Sequence, residues 1–215
     1  MAERIAVIDY GAGNLRSVAK ALEMAANDAG IAAQIVATDS PSTAAKADRI
    51  VLPGVGAYGQ CATSLRSIAG MEDALSEFAL EKKRPFLGIC VGMQLLAKTS
   101  EEGTLRGLGW IDGSVKKFDH ARFHQATHLP HMGWNNIEPK KNNKLLYNVD
   151  LSSGFYFLHS YYFFCHNENN KISSTDYGGI QFTSAVQNEN IYGIQFHPEK
   201  SHQWGIQLLK NFAEL

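Results

Sequence analysis

At 215 residues and 23.7 kDa the chain is within reach of one large α/β domain, and its 45% apolar content is that of a globular protein. With 20 basic against 21 acidic residues and a formal net charge of -1, it lacks the basic excess that displaces counterions from phosphates, which argues against a nucleic-acid partner. No apolar run approaches the roughly 20 residues of a membrane helix, the start Met1-Ala2-Glu3-Arg4 carries no signal pattern, and three cysteines are too few for a disulfide framework, so a cytoplasmic location away from membranes is expected.

Ile5 to Tyr10 reads as a buried parallel strand. After the turn Gly11-Ala12-Gly13-Asn14, apolar residues recur with helical spacing at Leu15, Val18, Ala19, Leu22 and Ala26, and Gly30 stops the helix. The G-x-G resembles a dinucleotide fingerprint, but Arg16 stands where the third glycine belongs, and a tight turn at the carboxyl edge of the sheet accounts for it as well. Ile35 to Thr38 and Arg49 to Leu52 are the next strands, with a short amphipathic stretch, Ser42 to Ala47, between them. Pro53-Gly54-Val55-Gly56 follows at once. Two glycines around a small apolar residue let a backbone turn its N–H groups toward a bound group, as an oxyanion hole requires, although a plain turn has the same composition. Helical patterning resumes in Cys61 to Ile68 and Met71 to Lys82. The alternation implies an open, mostly parallel sheet with helices on both faces.

Phe86 to Gln94 is the stretch on which chemistry turns. A strand ends in Cys90, flanked by Gly88 and Gly92, and a helix-prone segment from Met93 to Ala97 follows. This is the pattern of a nucleophile elbow, in which strained backbone needs small neighbours. A buried structural cysteine in a Gly-rich turn is the alternative. Cys61 and Cys165 lack the glycine flanks and read as packing residues.

Beyond Glu102, glycines at 103, 107, 109 and 113 punctuate short segments, which points to an antiparallel β extension in the C-terminal half. His120, His124, His128 and His131 fall in a stretch whose composition suits a solvated loop, and no metal site is expected there. Pro130 to Asn135 lies outside any periodic pattern and marks a recognition surface rather than a core element. Lys140 to Asn148 is a polar loop. Strong strand propensity covers Phe155 to Phe164, with further strands at Ile180 to Val186 and Ile191 to Phe196 and a terminal helix from about Gln203 to Phe212. No linker divides the chain, so residues 1–215 are expected to form a single domain. His197-Pro198-Glu199 closes the last strand; imidazole and carboxylate can point the same way while Pro198 fixes the backbone. Cys90, His197 and Glu199 would make a triad of nucleophile, base and orienting group.

Along essentially its whole length the chain resembles the class I (triad) glutamine amidotransferases, on Asp9 to Asn14, Pro53 to Gly56, Gly88 to Gln94, Pro130 to Asn135, His159-Ser160-Tyr161 and Gln195 to Lys200. Within them it looks most like glutaminase subunits of histidine biosynthesis. The resemblance implies glutamine hydrolysis by Cys90, His197 and Glu199, with an oxyanion held by the Val91 N–H and one from the Gly54 to Gly56 loop. It implies that Gln94, Glu102, Ser160 and Tyr161 bind the amino acid end of glutamine, and that no cofactor is needed. It further implies a heterodimer with a (β/α)8 cyclase or synthase subunit that receives the ammonia, docked over Asn14, Trp134, Tyr156 and Lys200. Paralogues that supply ammonia for nucleotide-sugar amidation carry the same motifs. Thiol hydrolases with a similar cysteine elbow are a further alternative, but they place a histidine directly after the cysteine, where this chain has Val91.

Overall fold

The apolar runs of the first half become strands, the inner ones buried on both faces and the edge strand Ala33–Thr38 half-exposed, and the amphipathic segments between them become the helices that cover those faces. In the computed structural model, which describes residues 2–124 and 127–215, this half runs β1 (Glu3–Ile8), α1 (Leu15–Asp28), β2 (Ala33–Thr38), α2 (Pro41–Ala44), β3 (Arg49–Leu52), α3 (Tyr58–Ser67) and α4 (Met71–Ser76). A π-helical turn, Glu77–Glu81, extends α4, and β4 (Phe86–Ile89) and the single-turn α5 (Val91–Gln94) follow. The second half adds β5 (Thr99–Ser100), β6 (Gly113–Lys117), β7 (His131–Asn135), β8 (Glu138–Pro139), β9 (Phe155–His159), β10 (Tyr161–Cys165), β11 (Lys171–Tyr177), β12 (Ile180–Asn188), β13 (Ile191–Ile194) and α6 (His202–Ala213).

The main sheet has the order β2-β1-β3-β4-β13-β12-β11-β8. Its first five strands are parallel, and β12, β11 and β8 continue it antiparallel. Helix α1 buries Val18, Leu22 and Ala25 and packs against α6, while α2, α3, α4 and α5 pack among themselves, so the helices fall into two layers. The fold is therefore the open α/β sheet with an antiparallel extension that the sequence suggests. One apolar core, from Ile5 to Ala213, lies between the layers. Among the described residues no helix is long and apolar enough to cross a membrane.

Three readings need correction. The run Phe155 to Phe164 is not one strand: it breaks at Ser160, and β9 pairs with β7 while β10 pairs with β6. Pro130 to Asn135 is no irregular segment, since β7 alternates in register with β9, exposing Met132 and Trp134 and burying His131. His131 therefore leaves the solvated histidine loop, of which residues 125 and 126 lie outside the described set. The polar loop at 140–148 is tied down as well: Leu145 and Leu146 are buried, and Asn211 Nδ2 donates to the carbonyls of Leu145 and Tyr147 at 3.0 and 2.7 Å.

Candidate active site

Cys90 caps β4 with φ 55° and ψ -110°, a conformation that side chains rarely adopt and that tight packing must hold. The flanking glycines explain why the turn can close. A methyl group at position 88 would sit 2.6 Å from the Gly92 carbonyl oxygen, and one at position 92 would overlap the Leu52 carbonyl. Cys90 itself is 2% exposed, and its N–H donates to the Ile194 carbonyl at 2.8 Å, which stitches the elbow to the end of β13.

That neighbouring strand brings His197 to the elbow. β13 runs parallel to β4 with Ile194 opposite Ile89, so the residues just beyond both strands emerge side by side at the carboxyl edge. The His197 N–H donates to the Tyr156 carbonyl at 2.8 Å, fixing the backbone. Its Nδ1 lies 2.8 Å from Glu199 Oε1, with both side chains buried. Its other nitrogen, Nε2, is buried and has no hydrogen-bond partner among the described residues, as is the case for Glu199 Oε2. Burial works against a charged imidazole, but the Cys90 sulfur and the Glu199 carboxylate outweigh it, and the His197 pKa is pushed up to about 10. An imidazole bound to a carboxylate on one side and facing a cysteine on the other is the pairing that a thiol nucleophile would use.

Gln195 was legible in the sequence only as part of a motif, and the structure gives it a part. Fully buried, it donates from Nε2 toward Cys90 Sγ at 3.7 Å and accepts at Oε1 from Gln94 Nε2 at 3.2 Å. The direction is forced: Gln94 Nε2 also donates to the Tyr161 carbonyl at 2.9 Å, so the Gln195 oxygen must face Gln94 and its nitrogen the sulfur. A buried amide one residue past an apolar strand end was the available signal.

The Gly54 to Gly56 loop does lie against the elbow; a methyl at Gly54 would meet the Gly92 nitrogen at 2.7 Å. One of the expected oxyanion donors, outside the loop, is engaged. The Val91 N–H is spent on the Gly54 carbonyl at 3.4 Å, because a buried N–H pairs with whatever acceptor is near. The next carbonyl, Val55, accepts from Cys61 Sγ at 3.5 Å.

A cleft of about 240 Å³ opens above Cys90, lined by Gly56, Val91, Gln94, Glu102, Ser160 and Tyr161 among others. The four residues expected to bind glutamine thus line the same cleft as Cys90. All four already make hydrogen bonds: Glu102 Oε2 accepts the Tyr58 N–H at 3.0 Å, the Ser160 carbonyl accepts the Phe118 N–H at 3.3 Å, and the Tyr161 carbonyl takes both Gln94 and His159. Two roomier grooves, about 770 and 890 Å³, do not touch Cys90.

Three of the four expected docking residues meet on the surface. Trp134, 47% exposed, stands edge-on to Tyr156 at 6.3 Å, and Lys200 Nζ lies 5.4 Å from the centre of the Tyr156 ring. His202, which sequence reading missed, stacks on Trp134 at 4.9 Å. Asn14 is half-buried at the start of α1, the helix that packs on the Pro198–Lys200 turn.

Residues 6–215 match the family described as glutamine amidotransferase class-I. The chain is 46% identical to imidazole glycerol phosphate synthase subunit HisH of Leptospira interrogans, over 98% of this chain and 100% of that protein. It is 49% identical to the protein of the same name from Rhodospirillum rubrum, over 97% of each. Among solved structures it is similar in fold to a glutamine amidotransferase with TM-score 0.67 and 19% identity, covering 98% of this chain and 97% of that one. A glutamine amidotransferase from Thermotoga maritima gives TM-score 0.60 at 18% identity, covering 93% and 77%.

Proposed function

Because the chain belongs to the class-I glutamine amidotransferases, and within them to the HisH subunits of imidazole glycerol phosphate synthase, we propose that its 215 residues act as a single glutaminase domain that supplies ammonia for histidine biosynthesis. Cys90 attacks the side-chain carboxamide of glutamine. His197 holds the thiol proton and passes it from Nε2 to the departing ammonia, while Glu199 fixes the ring through Nδ1. Water, with His197 as base, then cleaves the γ-glutamyl thioester to glutamate.

The observation that carries this reading is the meeting of Cys90 with the buried His197–Glu199 pair at the ends of adjacent parallel strands. Glu102 and the Ser160-Tyr161 wall receive the amino acid end of the substrate. For the Val91 N–H to hold the oxyanion, the Gly54 carbonyl has to turn away from it, and one such donor is worth roughly 3 kcal/mol of barrier. The isolated chain is accordingly slow, and docking to a (β/α)8 cyclase subunit, over the patch of Trp134, Tyr156 and Lys200, speeds it. That subunit receives the ammonia before water protonates it.

Cys90→Ala is expected to lower glutamate release on the order of a thousandfold or more, with the far-ultraviolet circular dichroism unchanged. Turnover that survives the change would remove the mechanism. Identifying the protein that co-purifies with the chain tests the pathway: a nucleotide-sugar amidation enzyme in place of the cyclase would overturn it.

A further inference from the structure

The Tyr161 carbonyl, on the wall of the cleft, is where two buried lines of hydrogen bonds end. One is Gln94, already linked through Gln195 to Cys90. The other is His159, whose Nδ1 lies 2.9 Å from the same oxygen. A carbonyl only accepts, so Nδ1 carries the proton. Burial holds the His159 ring neutral, its pKa well below the usual imidazole value, so Nε2 must accept. The group 3.0 Å from Nε2 is Nδ1 of His131, which therefore donates.

The line continues to the other side of His131. Its Nε2 accepts from Asn135 Nδ2 at 3.3 Å. That amide cannot be the other way round, because Nδ2 also donates to the Asp176 carbonyl at 2.8 Å and Oδ1 accepts the Asn136 N–H at 2.8 Å. The His131 ring is stacked at 4.7 Å on Phe157 and at 3.8 Å on Tyr177, which hold its plane. One arrangement of protons satisfies every group from Asn135 to Tyr161. Like the ring beside it, His131 is held neutral by burial, with its pKa lowered to about 4.

We propose that His131 is a positioning residue for glutamine binding: its Nδ1–H holds His159 in the Nδ1–H tautomer, which keeps the Tyr161 carbonyl committed to the interior and the Ser160-Tyr161 wall shaped for the substrate. This rests on the reading of the cleft as the glutamine site. His131 does not itself line the cleft and reaches it through His159, so its loss acts on binding rather than on the bond-breaking step.

The test is steady-state glutamine hydrolysis by the full chain together with nitrogen-15 NMR of the histidine rings. His131→Phe keeps the stacking and removes the donor; it is expected to raise the KM for glutamine about tenfold while kcat stays within about threefold. His131→Asn, whose amide nitrogen can stand where Nδ1 stood, is expected to bring KM back to within about threefold of wild type. In the wild-type protein the His159 signals should show protonated Nδ1 and bare Nε2, a readout that needs no variant. A KM within twofold of wild type in His131→Phe, or a wild-type His159 protonated on Nε2, would overturn the proposal. Hydrolysis that persists in Cys90→Ala, run in the same assay, strikes the glutaminase reading instead and leaves the tautomer result standing.

Discussion

At the scale of single residues, the side chain that most changes the picture of the site is Gln195. A charge-assisted hydrogen bond contributes about 1.5 to 3 kcal/mol, and the Gln195 amide is aimed at the atom that carries negative charge in the proposed mechanism. Gln195→Leu is expected to slow alkylation of Cys90 by iodoacetamide about tenfold at neutral pH and to lower kcat by a similar factor. The signal is clean because burial pushes the Cys61 thiol up to about 11 and raises that of Cys165, leaving both inert under the same conditions. His197 makes a prediction about stability. Its folded pKa, about 10, lies above the ordinary 6.5, so the stabilisation it brings is complete below about pH 6.5 and is lost as pH rises through 10. Urea midpoints measured from pH 6 to pH 10 should fall, and the slope should flatten in Cys90→Ala, which removes the sulfur's share of the attraction.

Among the elements, the elbow and the strand β9 organise the rest. Gly92→Ala, where a methyl would strike the Leu52 carbonyl, is expected to cost about 3 kcal/mol or more. Gly59→Ala on α3, with its nearest neighbour at 3.8 Å, should instead stabilise by about 0.5 kcal/mol; denaturant melts of the two variants give the comparison. Strand β9 ties surface to site, since Tyr156 belongs to the exposed aromatic patch and its carbonyl holds the His197 backbone, while the Leu158 carbonyl lies 3.8 Å from Cys90 Sγ. The parallel strands were legible because strands covered on both faces read as unbroken apolar runs, and the elbow because only glycine fits beside Cys90. What stayed hidden is polar and buried. Strand β11 carries Ser173, Ser174 and Thr175 in the interior, where Ser173 pairs with Ser184 across the sheet at 2.9 Å, so no apolar alternation announced it. His131 read as a loop histidine for the same reason: its burial depends on Phe157, Tyr177 and His159, partners from other elements.

For the molecule as a whole, the exposed aromatic patch stands one residue from the proposed triad: Lys200 follows Glu199 and leans over Tyr156. Lys200→Glu is expected to lower the ammonia delivered per glutamine hydrolysed, in the complex with the cyclase subunit, more than it raises the KM for glutamine. An unchanged ratio in a coupled assay would separate the patch from the site. The order of the sheet has a further effect in time. β13 is the last strand made, yet it is inserted beside β4, so Cys90 leaves the ribosome roughly a hundred residues before its base does. During that interval the thiol sits in an unfinished protein with no imidazole to ionise it. On the proposed mechanism, glutamine hydrolysis is therefore expected only once His197 has emerged, when synthesis is almost over.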